Sequence, residues 1–327
     1  MSRTLDFVSS IDSRLIAGKS QNVFAEQDHV KRRYKRDPNC WAADVDLSAF
    51  SVWNSLDGPR RAGTLITSDC VLLAAHFPLG PGTRIRFVRD TMPGDLNGDG
   101  VTDFADLTIF SRTAKRSDAD YFTRLVQIAR NFDQSAIIER TIVATARVTS
   151  PVMSAREDDL LLAKLDSPIT GEIIRPVALL SPGVQNSAQL NAHLNAPTIT
   201  VASLNQHRQI LVAEVRRQSI ARDAWIDAVR PIDARRSRMY GGLNPGDSGC
   251  AVFMLAGRLP VLLYCARRGS PLTVSLSDAP PGGGPFAGFF ADAIAQTIRS
   301  LTGDVASLRV ARTADPSTFT QPFSSGL

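Results

Sequence analysis

The stretch Asn244–Phe253 reads NPGDSGCAVF, with Ser248 between two glycines, behind Asp247, at the mouth of an apolar run. A serine hydroxyl is a poor nucleophile unless a base takes its proton and donors hold the oxyanion that forms. Glycine on either side permits a turn in which consecutive backbone N–H groups point one way. Ser248 is therefore a candidate nucleophile, and the N–H groups of Gly246 and Ser248 are candidate oxyanion donors. A plain hairpin turn would account for the same GDSG on its own.

The base must come from four histidines. His29 lies in a polar, basic stretch, and His193 and His207 sit among Asn and Gln, as exposed loop residues do. His76 ends CVLLAAH, a buried-type strand whose small Ala74 and Ala75 leave an imidazole room to reach a cleft. Capping a core strand is the alternative role. The sequence REDDLLLAKLD places Asp158 and Asp159 before a strongly apolar run. A carboxylate so close to a buried strand must be hydrogen-bonded or paired, either as the orienter of an imidazole or as a strand-start acid.

A second chemistry is written in DLNGDGVTDFAD, Asp95 to Asp106. Oxygen ligands fall at Asp95, Asn97, Asp99, the Val101 carbonyl, Asp103 and Asp106, with Gly100 at the sharp turn, the spacing of an EF-hand loop. Hard oxygen donors select Ca²⁺ over softer metals. The closing Asp in place of Glu resembles dockerin-type loops, which are followed by a helix. Dockerins carry two such loops and this chain shows one, so the expectation is a structural calcium clip. A solvated acidic loop is the alternative.

The elements that must position these groups read as mostly strands. With 327 residues, 43% hydrophobic and 21% charged, the chain has ordinary globular composition. The net charge is +5, concentrated in clusters such as Lys31-Arg32-Arg33 and Arg235-Arg236. Apart from Tyr34 no aromatic is interleaved with them, and no known nucleic-acid module accompanies them, so nucleic-acid binding is not expected. No apolar run reaches membrane-spanning length. The opening MSRTLDFVSS lacks the apolar core of a secretory leader, which leaves a chain that stays inside or one whose biological start differs.

Residues 1–45 are polar, basic and aperiodic, and read as an arm or pro-segment-like extension. From Ala49 onward, short apolar and β-branched runs split by Gly, Pro and Asp turns read as strands of a sandwich or barrel. They form two blocks, 46–170 and 171–301, the second closed by an amphipathic helix over Phe289–Leu301. An insert at about 91–135 has helical spacing, with Phe104, Leu107 and Phe110, then Phe122, Leu125 and Ile128. Residues 302–327 read as a loosely held tail.

The order His, Asp, Ser is one of the three orders known for this constellation. GTLITSDCVLLAAHF, DLLLAKL and NPGDSGCAVF together resemble the three motif segments of chymotrypsin-like serine proteases, over about Ala49 to Leu301. Matching the lysine of AKL selects Asp159 over Asp158. The resemblance implies an all-β, two-barrel chymotrypsin-like fold with a C-terminal helix, here with the helical calcium loop inserted in the first barrel. It implies a trypsin-like endopeptidase acting on protein or peptide substrates. In that role Ser248 attacks, His76 moves the proton, Asp159 orients His76, and the Gly246 and Ser248 amides hold the oxyanion. A silent relative used as a binding module and a calcium-dependent scaffold or adhesion protein are the alternatives. The oligomeric state is not legible, and the resemblance leans toward an extracellular or periplasmic setting.

Departures from the family are local. Phe77 replaces the cysteine that follows the histidine, and Cys250 replaces the second glycine after the serine. Folding CAVFMLAGRLPVLLYC as a hairpin about Ala256–Leu259 sets Phe253 opposite Leu262 and Cys250 opposite Cys265, a separation a disulfide can bridge. A one-residue slip would leave two free thiols instead. Cys40 and Cys70 are candidates for a second bridge. The activation motif has only a faint echo in RLIAGK, Arg14 to Lys19, and the partner of Asp247 is open. The floor of the specificity pocket falls near Gly242, and Arg267 and Arg268 follow the strand that lines it.

Overall fold

The computed structural model describes residues 10–28, 33–51, 61–90, 93–149, 159–171, 173–180, 198–216, 225–242, 246–267, 283–304, 308 and 310–311. His29, Asp158, His193, Arg268 and most of the tail lie outside the described residues. The chain is mostly β-sheet, with a curled half-barrel sheet and few helices.

The first large sheet has five strands in the order β3-β4-β7-β6-β5. These are β3 (Thr64–Leu65), β4 (Cys70–Ala74), β5 (Arg84–Val88), β6 (Ile137–Val148) and β7 (Leu160–Leu165), all antiparallel. CVLLA of β4 is buried at every position, as an apolar strand covered on both faces must be. The long β6 pairs β5 with its first half and β7 with its second. A register shift between Ile142 and Ala144 lets it serve both neighbours and bend the sheet.

The second sheet has eight strands in the order β14-β11-β10-β9-β12-β13-β8-β15. They are β8 (Ala178–Leu180), β9 (Thr198–Leu204), β10 (Ile210–Arg216), β11 (Trp225–Val229), β12 (Ala251–Ala256), β13 (Leu259–Cys265), β14 (Gly283–Pro285) and β15 (Val310–Ala311). Both sheets feed one hydrophobic core, across which Phe50 stacks on Phe253 with ring centroids 4.8 Å apart.

Phe253 opposes Leu262 in the β12–β13 hairpin, as its sequence predicts. A bulge between Val252 and Phe253 then shifts the ladder by one residue, so Cys265 faces Ala251 and not Cys250. The Cys250 carbonyl accepts the Ala266 N–H instead. The expected bridges are not formed: Cys40, Cys70, Cys250 and Cys265 are all free and buried.

The helical insert contains α1 (Phe104–Thr113) and α2 (Tyr121–Asn131). Asp103 caps α1 by accepting the Ala105 N–H, and the Asp106 carboxylate reaches back to the Asp103 N–H, completing a capping box. Phe110 and Ile128 are buried, as the spacing predicts, but Phe104 and Phe122 of the same expected stripe are 74% and 70% exposed. Two further helices bear on the second sheet and the closing segment. The short α3 (Ala234–Arg238) follows β11. The closing α4 (Ala291–Thr302) packs Ile294 and Ile298 inward and ends at the left-handed Gly303, φ +82°. Among the described residues no helix is long and apolar enough to cross a membrane.

The segment read as an arm is built into the body. Its β1 (Phe24–Asp28) and β2 (Arg33–Arg36) form a hairpin, and Ile11, Leu15, Val23 and Trp41 are buried. One arginine from each basic cluster faces carboxylates of the same chain. Arg33 lies 3.4 Å from both Asp99 and Asp103, and Arg236 binds Asp12 and Glu214.

Candidate active site

Strands β4 and β7 are antiparallel neighbours, with Ala74 opposite Leu160. The residues just past the end of one and just before the start of the other therefore meet. Asp159 is 3% exposed and grips the segment after β4 three times. Its carbonyl accepts the Ala75 N–H (3.1 Å), its Oδ1 accepts the His76 backbone N–H (2.9 Å), and its Oδ2 lies 2.7 Å from His76 Nδ1. A carboxylate of this kind is an acceptor, so Nδ1 carries the proton and the Nε2 lone pair faces outward. Nε2 lies 2.8 Å from Ser248 Oγ.

Ser248 reaches that position from the other sheet. Gly246 and Gly249 flank it with φ of +101° and +88°. A Cβ on Gly246 would sit 2.7 Å from Gln206 Oε1, and one on Gly249 would sit 2.8 Å from the Ala62 carbonyl. Both glycines are thus demanded by dihedral angle, and Gly249 also by the close approach of the Ala62 backbone, whereas the Gln206 side-chain end beside Gly246 could move aside. The last rungs of the β12–β13 ladder clamp the turn from behind, through Gly249 N–H to Ala266 O and Ala266 N–H to Cys250 O, both 2.7 Å. Beneath it Asp247 is buried, and its Oδ1 accepts the Gln206 N–H at 2.8 Å. Among the described residues neither the Gly246 nor the Ser248 N–H donates to a protein acceptor.

The electrostatic surroundings are mixed. Arg267, which follows β13, places Nε 3.7 Å from Asp159 Oδ2. Burial pushes the Cys265 thiol up to about 12, with the Asp159 charge adding to it, and burial holds Cys250 well above the ordinary thiol range. Neither thiol ionises near neutrality, so neither offers a thiolate nucleophile beside Ser248. His207, the other described histidine, lies on the β9–β10 turn and not in this cluster. Gly242, expected near the floor of the pocket, is exposed.

The structure brings together His76, Asp159, Ser248 and Gly246 from distant parts of the chain. Sequence reasoning missed the Gln206 contact to Asp247, because a backbone N–H leaves no mark in residue type.

The acidic loop of the insert is closed on its own carboxylates. Asp95 accepts N–H bonds from Gly98 (2.7 Å), Asp99 (3.2 Å) and Gly100 (2.8 Å), and Asp106 accepts those of Leu96 (2.6 Å) and Asn97 (3.2 Å). Gly98 and Gly100 take φ of +72° and +83°. Burial raises the Asp95 carboxyl above its ordinary value, and Asp106 and Asp99 add to that rise. Among the described residues no group of three His, Cys, Asp or Glu side chains converges to hold a metal ion.

No protein-family model matches the chain, and no curated protein matches it at a meaningful level.

Proposed function

We propose that the chain is a serine endopeptidase that cleaves peptide bonds of protein or peptide substrates through Ser248, His76 and Asp159. One observation carries the reading: an unbroken hydrogen-bonded line from Asp159 Oδ2 through the imidazole to Ser248 Oγ, at 2.7 and 2.8 Å. These are the contacts that general-base activation of a hydroxyl needs. His76 takes the Ser248 proton as Oγ attacks the carbonyl carbon, and later returns it to the leaving amine. Asp159 stabilises the imidazolium formed between those steps. The N–H groups of Gly246 and Ser248 are left to hold the oxyanion.

The finer fold reading is a two-barrel, chymotrypsin-like arrangement with the reaction at the seam. Its support is that the five-stranded sheet supplies His76 and Asp159, while the eight-stranded sheet supplies Ser248.

Calcium belongs to this proposal as a structural clip. Asp95, Asn97, Asp99, Asp103, Asp106 and the Val101 carbonyl are the groups that would hold it, and it would supply positive charge among the carboxylates of the loop. The donor chemistry and the two left-handed glycines fit such a loop. The separation of its carboxylates does not by itself assemble a site, and Arg33 already faces two of them. No step of hydrolysis is routed through the ion.

The deciding experiment is labelling with a serine-directed fluorophosphonate. Covalent modification at Ser248 is expected; a chain that stays unlabelled under all conditions supports a binding role instead.

A further inference from the structure

Asp247 precedes the nucleophile, is 1% exposed, and fixes the turn from inside. Its Oδ1 is held by the Gln206 N–H at 2.8 Å. Gln206 lies on the β9–β10 turn, which is pinned by reciprocal bonds. Asn205 donates through its backbone N–H to Gln209 O, and its Oδ1 accepts the Gln209 N–H (3.1 and 2.9 Å). The Asn205 Nδ2 also reaches Gln209 Oε1 at 3.0 Å. Arg208 sits at φ +63°, a left-handed conformation that a non-glycine residue adopts only when its surroundings enforce it.

Part of what surrounds that turn is the N-terminal segment. The Val23 N–H donates to Arg208 O at 2.9 Å, the Ile210 N–H donates to Gln21 O at 2.8 Å, and Asn22 bridges Gln209. The indole N–H of buried Trp41 donates to Ile210 O at 2.9 Å. Asp12 grips Arg236 through both carboxylate oxygens, and Arg236 in turn holds Glu214 of β10. The segment thus meets the start of β10 through an isolated bridge and its flanking hydrogen bonds, holding the Arg208–Ile210 side of the turn that carries Gln206.

We infer that residues 10–28 and 33–45 are an internal clamp that positions the nucleophile turn, through the 205–209 turn and Asp247, so that the uncut chain already carries a formed site. The inference rests on the hydrolase reading and assigns Gln206 and Val23 as positioning residues that touch no substrate. A removable pro-segment would act oppositely: its loss would complete the site. Here its loss would free Arg208 O and the Ile210 N–H and loosen the donor to Asp247.

The test uses the full chain. Intact-mass analysis of fluorophosphonate-labelled protein is expected to show residues 10–45 retained, and labelling that begins only after cleavage within them overturns the inference. Val23→Pro removes the N–H that holds Arg208, and Asp247→Ala removes the acceptor for Gln206. Each is expected to slow labelling about tenfold or more, and in peptide hydrolysis to lower kcat with KM little changed. Asp247→Asn keeps an acceptor oxygen and is expected to recover most of the rate. Folded variants that label at the wild-type rate, or a Gln206 amide whose exchange protection is unchanged by Val23→Pro, overturn the clamp. Should either substitution prevent folding, the intact-mass result still decides. A wild-type chain that never takes the probe, cut or uncut, sinks the hydrolase reading itself, which none of the clamp results does.

Discussion

Arg267 Nε lies 3.7 Å from Asp159 Oδ2, the same oxygen that meets His76 Nδ1 at 2.7 Å. The carboxylate expected to stabilise an imidazolium therefore shares its charge with a guanidinium. Asp159 at the head of β7 and Ser248 on its turn meet the His76 ring directly, and Arg267, after β13, is joined to it through Asp159.

The guanidinium and the imidazole draw on one carboxylate oxygen, so removing the guanidinium leaves more of its charge for the imidazolium that hydrolysis would form. Arg267→Gln is therefore expected to raise kcat about two- to fivefold with KM little changed, while Arg267→Lys stays close to wild type. A kcat unmoved by Arg267→Gln shows that the guanidinium has no influence through Asp159.

Ser248→Ala fits the same turn and is expected to abolish fluorophosphonate labelling without changing the melting temperature appreciably. His76→Ala should lower hydrolysis by roughly four to six orders of magnitude. Labelling of the Ser248→Ala protein at the wild-type rate would refute Ser248 as the nucleophile.

Calcium is expected to raise the melting temperature, and Asp95→Ala to remove most of that rise, since Asp95 anchors three loop N–H groups. Hydrolysis under mild conditions should survive this substitution. Titration calorimetry showing no heat at about millimolar calcium would remove the ion from the account.

Burial pushes the Asp90 carboxyl up to about 7; Arg36 opposes this and Asp46 reinforces it. The unfolded chain sheds this proton near the ordinary Asp value while the folded chain keeps it. Stability from this group therefore falls as pH rises between the two values and levels off above about 7. Asp90→Asn should flatten the pH dependence of denaturant unfolding in that window by up to about 1.4 kcal/mol per pH unit. Parallel curves for the two proteins would show that Asp90 ionises normally.

The four cysteines are buried thiols, and Cys70 and Cys265 are both pushed up to about 12, chiefly by burial. Iodoacetamide at pH 8 is expected to leave the native protein nearly unmodified, because the thiolate fraction is small and the sulfurs are enclosed. Unfolding without reductant should expose all four to alkylation. Recovery of a Cys250–Cys265 peptide from unreduced protein would contradict the structure.

Much of the site was legible from residue types. Gly246 and Gly249 announced a turn that only glycine can make, and the small residues before His76 announced room beside it. The apolar run after Asp159 announced a carboxylate that burial would force into partnership. The strands of the first sheet were readable from β-branched and apolar runs, and α1, α2 and α4 from their period. These are local signals, set by the steric and solvation needs of each residue and its neighbours.

What only the tertiary structure decided is long-range and carried by the backbone. The bulge after Val252 moved Cys265 from Cys250 to Ala251, because one extra residue in a strand costs little locally yet shifts everything beyond it. Residues 1–45 read as a polar arm because Ile11, Leu15, Val23 and Trp41 are buried without any regular spacing. Their partners are remote carbonyls and N–H groups, which every residue carries alike. The same reason hid the hold of Gln206 on Asp247: main-chain hydrogen bonds between distant segments have no signature in side-chain type, and only the packed chain brings their two ends together.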